Sequence, residues 1–142
     1  MTTSYLQRLR LIRRDVWLVS TLLFTHMFVL YGVYVVAFNL YLLRLDYGPQ
    51  FIGLVNAVML FGFALLAALV GAFARRWNRW RMMTGGKAIE TIGMFLIALA
   101  EVVPAPWRSA WILALYALVA LGAALWYVNY NPFLLSATGS EE

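Results

Sequence analysis

Apolar residues run along this chain in long unbroken blocks, and the polar positions are gathered into short gaps between them. The first block, residues 16–43, holds no ionisable group besides His26 and its tyrosines, and the second, residues 51–74, holds none. The third, residues 82–103, carries Lys87, Glu90 and Glu101, while the fourth, residues 111–135, is free of charge. Each exceeds the roughly 20 residues with which a helix crosses a bilayer core. In the third block the charges are expected within about two turns of the ends, where Lys and Glu reach headgroups or pair. Runs such as Met27-Phe28-Val29-Leu30 and Ala64-Leu65-Leu66-Ala67-Ala68 do not alternate with polar residues as barrel strands do, so each block is read as a helix. The pattern therefore predicts an all-α membrane protein with four transmembrane helices, a basic N-terminal segment (1–15) and a polar tail (136–142).

Composition points the same way. A chain of 142 residues that is 64% hydrophobic and 12% charged cannot hide its apolar surface in a single water-soluble core. Arg8, Arg10, Arg13 and Arg14 precede the first block as they would in a signal peptide, but that block is too long for a signal core and no small-residue cleavage site follows. It is expected to stay as an anchor.

Cations set the orientation. Arg8, Arg10, Arg13, Arg14, Arg75, Arg76, Arg79, Arg81 and Lys87 fall on one side, and Arg44 and Arg108 on the other, so both termini are expected in the cytoplasm. The net charge of +5 then reflects topology, and nucleic acid is not an expected partner because the cations are split between helix ends. Trp17, Trp77, Trp80, Trp107 and Trp111 sit near the block ends as interfacial anchors do. The absence of cysteine excludes disulfides, thiolate metal sites and cysteine nucleophiles. No phosphate loop, metal-ligand cluster or nucleophile triad is visible, so neither enzyme chemistry nor a cofactor nor a metal is expected.

The gaps are short. Gly48 and Pro49 are expected to end the first helix and start the second, and Pro104 and Pro106 to separate the third from the fourth. The second block carries small residues four apart, namely Gly53 and Ala57, then Ala64, Ala68 and Ala72, with Ala67 and Gly71 beside them, a face suited to close helix packing. Lys87 and Glu90 are spaced to pair, and Glu101 and Arg108 are expected to pair on the outer side.

The stretch Phe38-Asn39-Leu40-Tyr41-Leu42-Leu43-Arg44-Leu45-Asp46-Tyr47-Gly48-Pro49-Gln50-Phe51-Ile52-Gly53 resembles the first outer loop and its flanking helices in bacterial major facilitator superfamily (MFS) transporters. The basic hinge resembles that family's G-x-x-x-D-R-x-G-R-R loop, with Gly71, Arg76 and Arg79 in matching places. Arg75 stands where the family has its aspartate, Asn78 where it has its second glycine and Trp80 where it has its last arginine. An arginine early in the fourth span has no counterpart here. The resemblance implies a small-solute permease of the bacterial inner (plasma) membrane, and the four helices would be the first part of its N-terminal six-helix half. The chain is then expected to be truncated, to need the remaining helices of a full-length transporter, and to be inactive alone. The alternative is a small standalone membrane protein that assembles with itself or another membrane protein through its small-residue face.

Asn39-Leu40-Tyr41-Leu42-Leu43 near the end of the first block is echoed by Asn131-Pro132-Phe133-Leu134-Leu135 at the end of the fourth, as inverted three-helix repeats of that family would have it. In facilitators the first and fourth helices line the substrate path, so the resemblance makes His26, Tyr34, Trp126, Asn129 and Tyr130 the cavity candidates. At ~100° per residue, His26, Tyr34 and Tyr41 form one polar stripe that is expected to face the bundle interior. His26 is the candidate for proton coupling. The pattern shows no mid-membrane carboxylate beside it, and a neutral histidine hydrogen-bonded to a neighbouring helix is the plainer role. Asn39 points elsewhere on the wheel and is expected to cap or bridge helices.

Overall fold

A computed structural model describes residues 14–74 and 77–138, and every regular element among them is helical. Arg8, Arg10, Arg13, Arg75, Arg76 and the tail 139–142 lie outside the described residues. Four helices in the described part are long and apolar enough to cross a membrane, with spans Ser20–Arg44, Pro49–Phe73, Arg79–Val102 and Ala105–Phe133. This is the architecture of an integral membrane protein. The outward faces carry large apolar side chains such as Phe24, Leu60, Phe61 and Phe95, which suit lipid and not water.

The first span is not uniform. It runs as α-helix Arg14–Met27, a π-helical segment Phe28–Tyr34 that contains Gly32, and α-helix Val35–Arg44. Its end is set by Asp46, whose φ of 63° is left-handed. Asp46 N–H donates to the Leu43 carbonyl at 3.0 Å and Tyr47 N–H to the Leu42 carbonyl at 3.1 Å, the paired bonds of a Schellman close. Gly48, expected to be the stop, has an ordinary extended backbone and serves as N-cap of the second span, with Pro49 in that helix's first turn.

The third span starts at Arg79, earlier than the apolar pattern predicts. Asn78 causes this, since its side chain accepts a bond from the Arg81 N–H at 3.2 Å and satisfies a free donor of the first turn. The fourth helix, Ala105–Thr138, also exceeds its expected bounds of 111–135. Pro106 falls in its first turn, where a missing N–H costs nothing, and Pro132 removes a single bond late in the helix without ending it. Residues 136–138, expected in the polar tail, continue this helix beyond the span that ends at Phe133.

The fourth span is the hub. Half of its most apolar window (50%) is buried, against 6% for the second span, and both the second and third spans pack mainly on it. The third and fourth cross very closely because glycines face each other there. A Cβ on Gly86 would stand 2.7 Å from the Gly122 carbonyl, and one on Gly122 would stand 2.6 Å from both the Gly86 carbonyl and the Glu90 N–H nitrogen. Gly93 is similarly pressed, 2.7 Å from Val119. The close approach expected on the second span is thus built by the third and fourth. Ala64, Ala68, Gly71 and Ala72 of the second span are exposed, whereas Ala67 packs beside Val70, Met82 and Ala124.

Polar ties gather at the end opposite the basic hinge. The Tyr41 hydroxyl donates to the Ala98 carbonyl at 3.2 Å, Tyr47 and Ser109 share a 2.9 Å bond, and Trp111 Nε1 donates to the Leu96 carbonyl at 3.2 Å. The expected pairing of Glu101 with Arg108 is not what forms. Glu101 meets Arg44 at 3.7 Å through its carboxylate, while Arg108 donates to the carbonyls of Glu101 and Val103, both at 3.3 Å. The reason is geometric, because Arg108 lies in the first turn of the fourth helix beside the free carbonyls that end the third.

Candidate functional site: a buried histidine, lysine and glutamate

Two spans bring three ionisable side chains together. Lys87 and Glu90 share one face of the third helix, and Lys87 Nζ donates to Glu90 Oε2 at 2.8 Å. His26 reaches them from the first span. Lys87 Nζ lies 3.0 Å from both ring nitrogens of His26, and His26 Nε2 lies 3.4 Å from Glu90 Oε1. The carboxylate that the sequence pattern did not reveal beside His26 is therefore Glu90.

The cluster lies deep in the bundle. Glu90 is eleven residues beyond Arg79, the first residue of the third span, about 16 Å along the helix, and His26 is six beyond Ser20, the first residue of the first span, about 9 Å. Lys87 lies about two turns into its helix and Glu90 about three, and the first turn is made by Arg79, Trp80 and Arg81.

Burial makes every polar atom matter. Glu90 is 2% exposed. With one cation and one anion side by side the cluster carries no net charge while His26 is neutral, which is the form a low-dielectric interior tolerates best. Satisfaction is still incomplete, since Glu90 Oε1 has no hydrogen-bond partner. Neither do the buried Trp126 Nε1 and Tyr34 hydroxyl. The fourth span forms the wall behind Lys87, with the ammonium 5.0 Å from the Trp126 ring centroid. Tyr127 stands 6.1 Å from the His26 ring and donates to Met27 Sδ at 3.5 Å.

Of the candidates drawn from the sequence, His26 and Trp126 meet at this cluster through Lys87. Tyr130 packs beside Trp126 and Met83, with ring centroids 6.0 Å apart from Trp126. Asn129 is buried but donates to the Leu125 carbonyl of its own helix at 2.8 Å. Tyr34 is elsewhere, stacked on Phe38, which stacks in turn on Tyr116. Asn39 neither caps nor bridges through its carbonyl, because Oδ1 is buried without a partner. Of the hinge residues, Arg79 opens the third helix in an exposed position and Gly71 lies near Val128 on the fourth, with Arg75 and Arg76 outside the described residues.

A cavity of about 430 Å³ lies between the first, second and fourth spans, bounded by the π-helical segment. Tyr31, Asn56, Tyr116 and Tyr127 are the polar members of an otherwise apolar lining, and none of the sequence-derived cavity candidates is among its walls. The signal missed in the sequence was Gly86, Glu90 and Gly93 at helical spacing, which marks a face pressed against another helix with a carboxylate in its middle. Among the described residues no group of His, Cys, Asp and Glu is arranged to hold a metal ion. Comparison with family models, curated proteins and solved structures returns no match for this chain.

Proposed function

We propose that this chain forms the N-terminal four-helix part of a secondary transporter of the MFS type, which moves a small solute by alternating access once the remaining helices are in place. One observation carries the reading: His26, Lys87 and Glu90 meet inside two different spans, with Glu90 near the middle of the third. Ionisable side chains at that depth are costly in lipid and, where they persist, line solute pathways or proton relays. The uncovered apolar faces of the first two spans support the same reading, since a carrier half needs further helices to enclose its path. On this reading the basic hinge faces the cytoplasm across a bacterial plasma membrane, and no enzyme chemistry is assigned.

Sequencing the source locus beyond the codon for Glu142 tests it. A frame that continues through about eight further apolar spans is the expected result. An immediate stop codon overturns the transporter reading. It would favour a membrane interaction protein, for which Ala64, Ala68 and Gly71 on the exposed side of the second span offer a face. That second reading expects a defined crosslinked oligomer of the chain, lost on combining Ala64→Leu, Ala68→Leu and Gly71→Leu.

A further inference from the structure

We propose that the space between His26 Nε2 and Glu90 Oε1 is a proton-binding site that latches the basic half of the first span onto the third. The inference rests on the cluster alone and does not require the chain to be part of a transporter.

The two atoms are 3.4 Å apart, and no hydrogen bond joins them. Glu90 Oε1 is buried and lacks a donor, in a side chain that is 2% exposed. A proton taken from water onto Nε2 supplies that donor. The N–H then points at Oε1 and the contact becomes a charge-assisted ion pair across two spans, while the hydrogen bond from Lys87 Nζ to the neutral ring is given up because imidazolium has no lone pair to accept it.

The remaining neighbours decide whether the ring can hold that proton. From the third span, Lys87 is the opposing charge, with Nζ 3.0 Å from the ring nitrogens. Its flexible stem gives it somewhere to go, because Nζ already bonds Glu90 Oε2 at 2.8 Å and faces the Trp126 ring at 5.0 Å. Glu90 would then hold one cation on each oxygen. From the fourth span, Tyr127 faces the ring at 6.1 Å, and on the first span the buried Tyr34 lies within electrostatic reach of Glu90. The second span has no titratable side chain.

The first span is built so that this contact has leverage. Its far half is fixed by Phe38 and Leu42 in the core and by the Tyr41 bond to Ala98. The π-helical segment Phe28–Tyr34 follows directly after His26 and Met27, and the cavity of about 430 Å³ lies against it. On its basic half the span also meets the fourth, where Tyr127 donates to Met27 Sδ at 3.5 Å, and His26 supplies a polar tie to the third. Proton uptake replaces the neutral bond from Lys87 to the ring by an ion pair to Glu90 and tightens this half, and proton loss returns it to the weaker neutral contact, with the π-helical segment as the place where the span can bend.

Two measurements on the purified full chain in lipid nanodiscs, carrying a tag without histidine, test the proposal. His26 is the only histidine, so ¹⁵N imidazole spectra report its protonation alone. Between about pH 8 and about pH 5 the neutral ring is expected to give way to imidazolium coupled to a carboxylate. Glu90→Gln should abolish the carboxylate coupling. In parallel, spin labels at Ser20→Cys and Thr84→Cys, both exposed, should give a distance distribution that is broad at high pH and collapses to one narrow component at low pH. A control pair at Leu43→Cys and Val102→Cys should not respond, and His26→Gln should remove the response of the first pair. A ring that stays neutral across the range, a wild-type distribution that does not change, or a pH response that survives in His26→Gln would each overturn the proposal. None of these outcomes depends on a solute, so they are separable from failure of the transport reading.

Discussion

Asp46 carries a left-handed backbone that usually falls to glycine, and its position just past the first span fixes how that helix ends. Asp tolerates the conformation at a cost of about 1 kcal/mol relative to glycine, and a β-branched side chain tolerates it worse. Asp46→Gly should therefore raise the thermal midpoint in detergent, by an amount equivalent to about 1 kcal/mol, and Asp46→Val should lower it. Circular dichroism at increasing temperature reads both. The sequence indicates that a turn lies here but not which residue bears the strain, because Gly48 looks like the natural candidate and turns out to have an ordinary backbone. Trp residues show the same limit. Trp17, Trp77, Trp80, Trp107 and Trp111 are exposed near helix ends as the pattern suggests, whereas Trp126 is buried against Lys87, and composition alone cannot separate the two uses. Glu90 was legible as a charge within a span. Its burial against His26 was not, because that depends on how the first and third spans meet in the folded bundle.

The paired third and fourth helices behave as one unit whose spacing is set by Gly86, Gly93 and Gly122. Adding a methyl group at the crossing forces backbones apart, so Gly86→Ala and Gly122→Ala should each cost about 1–3 kcal/mol in a denaturant titration from mild detergent into dodecyl sulfate. Gly85 provides the internal control. Nothing lies within 4 Å of a Cβ built there, and Gly85→Ala should stabilise by up to about 1 kcal/mol through helix propensity. The four helices themselves were plain in the sequence because lipid demands long apolar runs with every backbone group satisfied internally. Their partners were not. Small residues recur four apart on the second span and seven apart, as Gly86 and Gly93, on the third, but only Gly86 meets a glycine on the helix opposite, and which faces meet is a property of the folded bundle.

For the whole molecule, the two ends differ in how they are held. One end has hydrogen bonds linking the first span to the third, the first loop to the fourth, and the third to the fourth. Toward the basic end, Trp80 packs with Phe133 at 5.9 Å, and Val70, Met82 and Ala124 form an apolar cluster. Amide hydrogen exchange should follow this division, with slower exchange toward the Tyr41 and Trp111 end than toward Asn78. The same division provides a test of orientation. The natural chain has no cysteine, so Gln50→Cys and Trp77→Cys each introduce one thiol near opposite ends of the bundle. In intact cells an impermeant maleimide should label the first and not the second.

Lys87 and Glu90 lie on the same helix, and this has a consequence for synthesis as well as for the finished protein. The chain emerges from its N-terminus, so the third span reaches the membrane before the fourth, on which it will pack. A lone carboxylate at mid-helix would face the insertion machinery with a penalty of about 2.5–3.5 kcal/mol. By carrying its counter-ion one turn away, the third helix arrives already neutralised and does not depend on a partner still inside the ribosome. Replacing Lys87 by Gln should therefore show its first defect during biogenesis, as nascent chains whose third segment fails to integrate, before any question of transport arises.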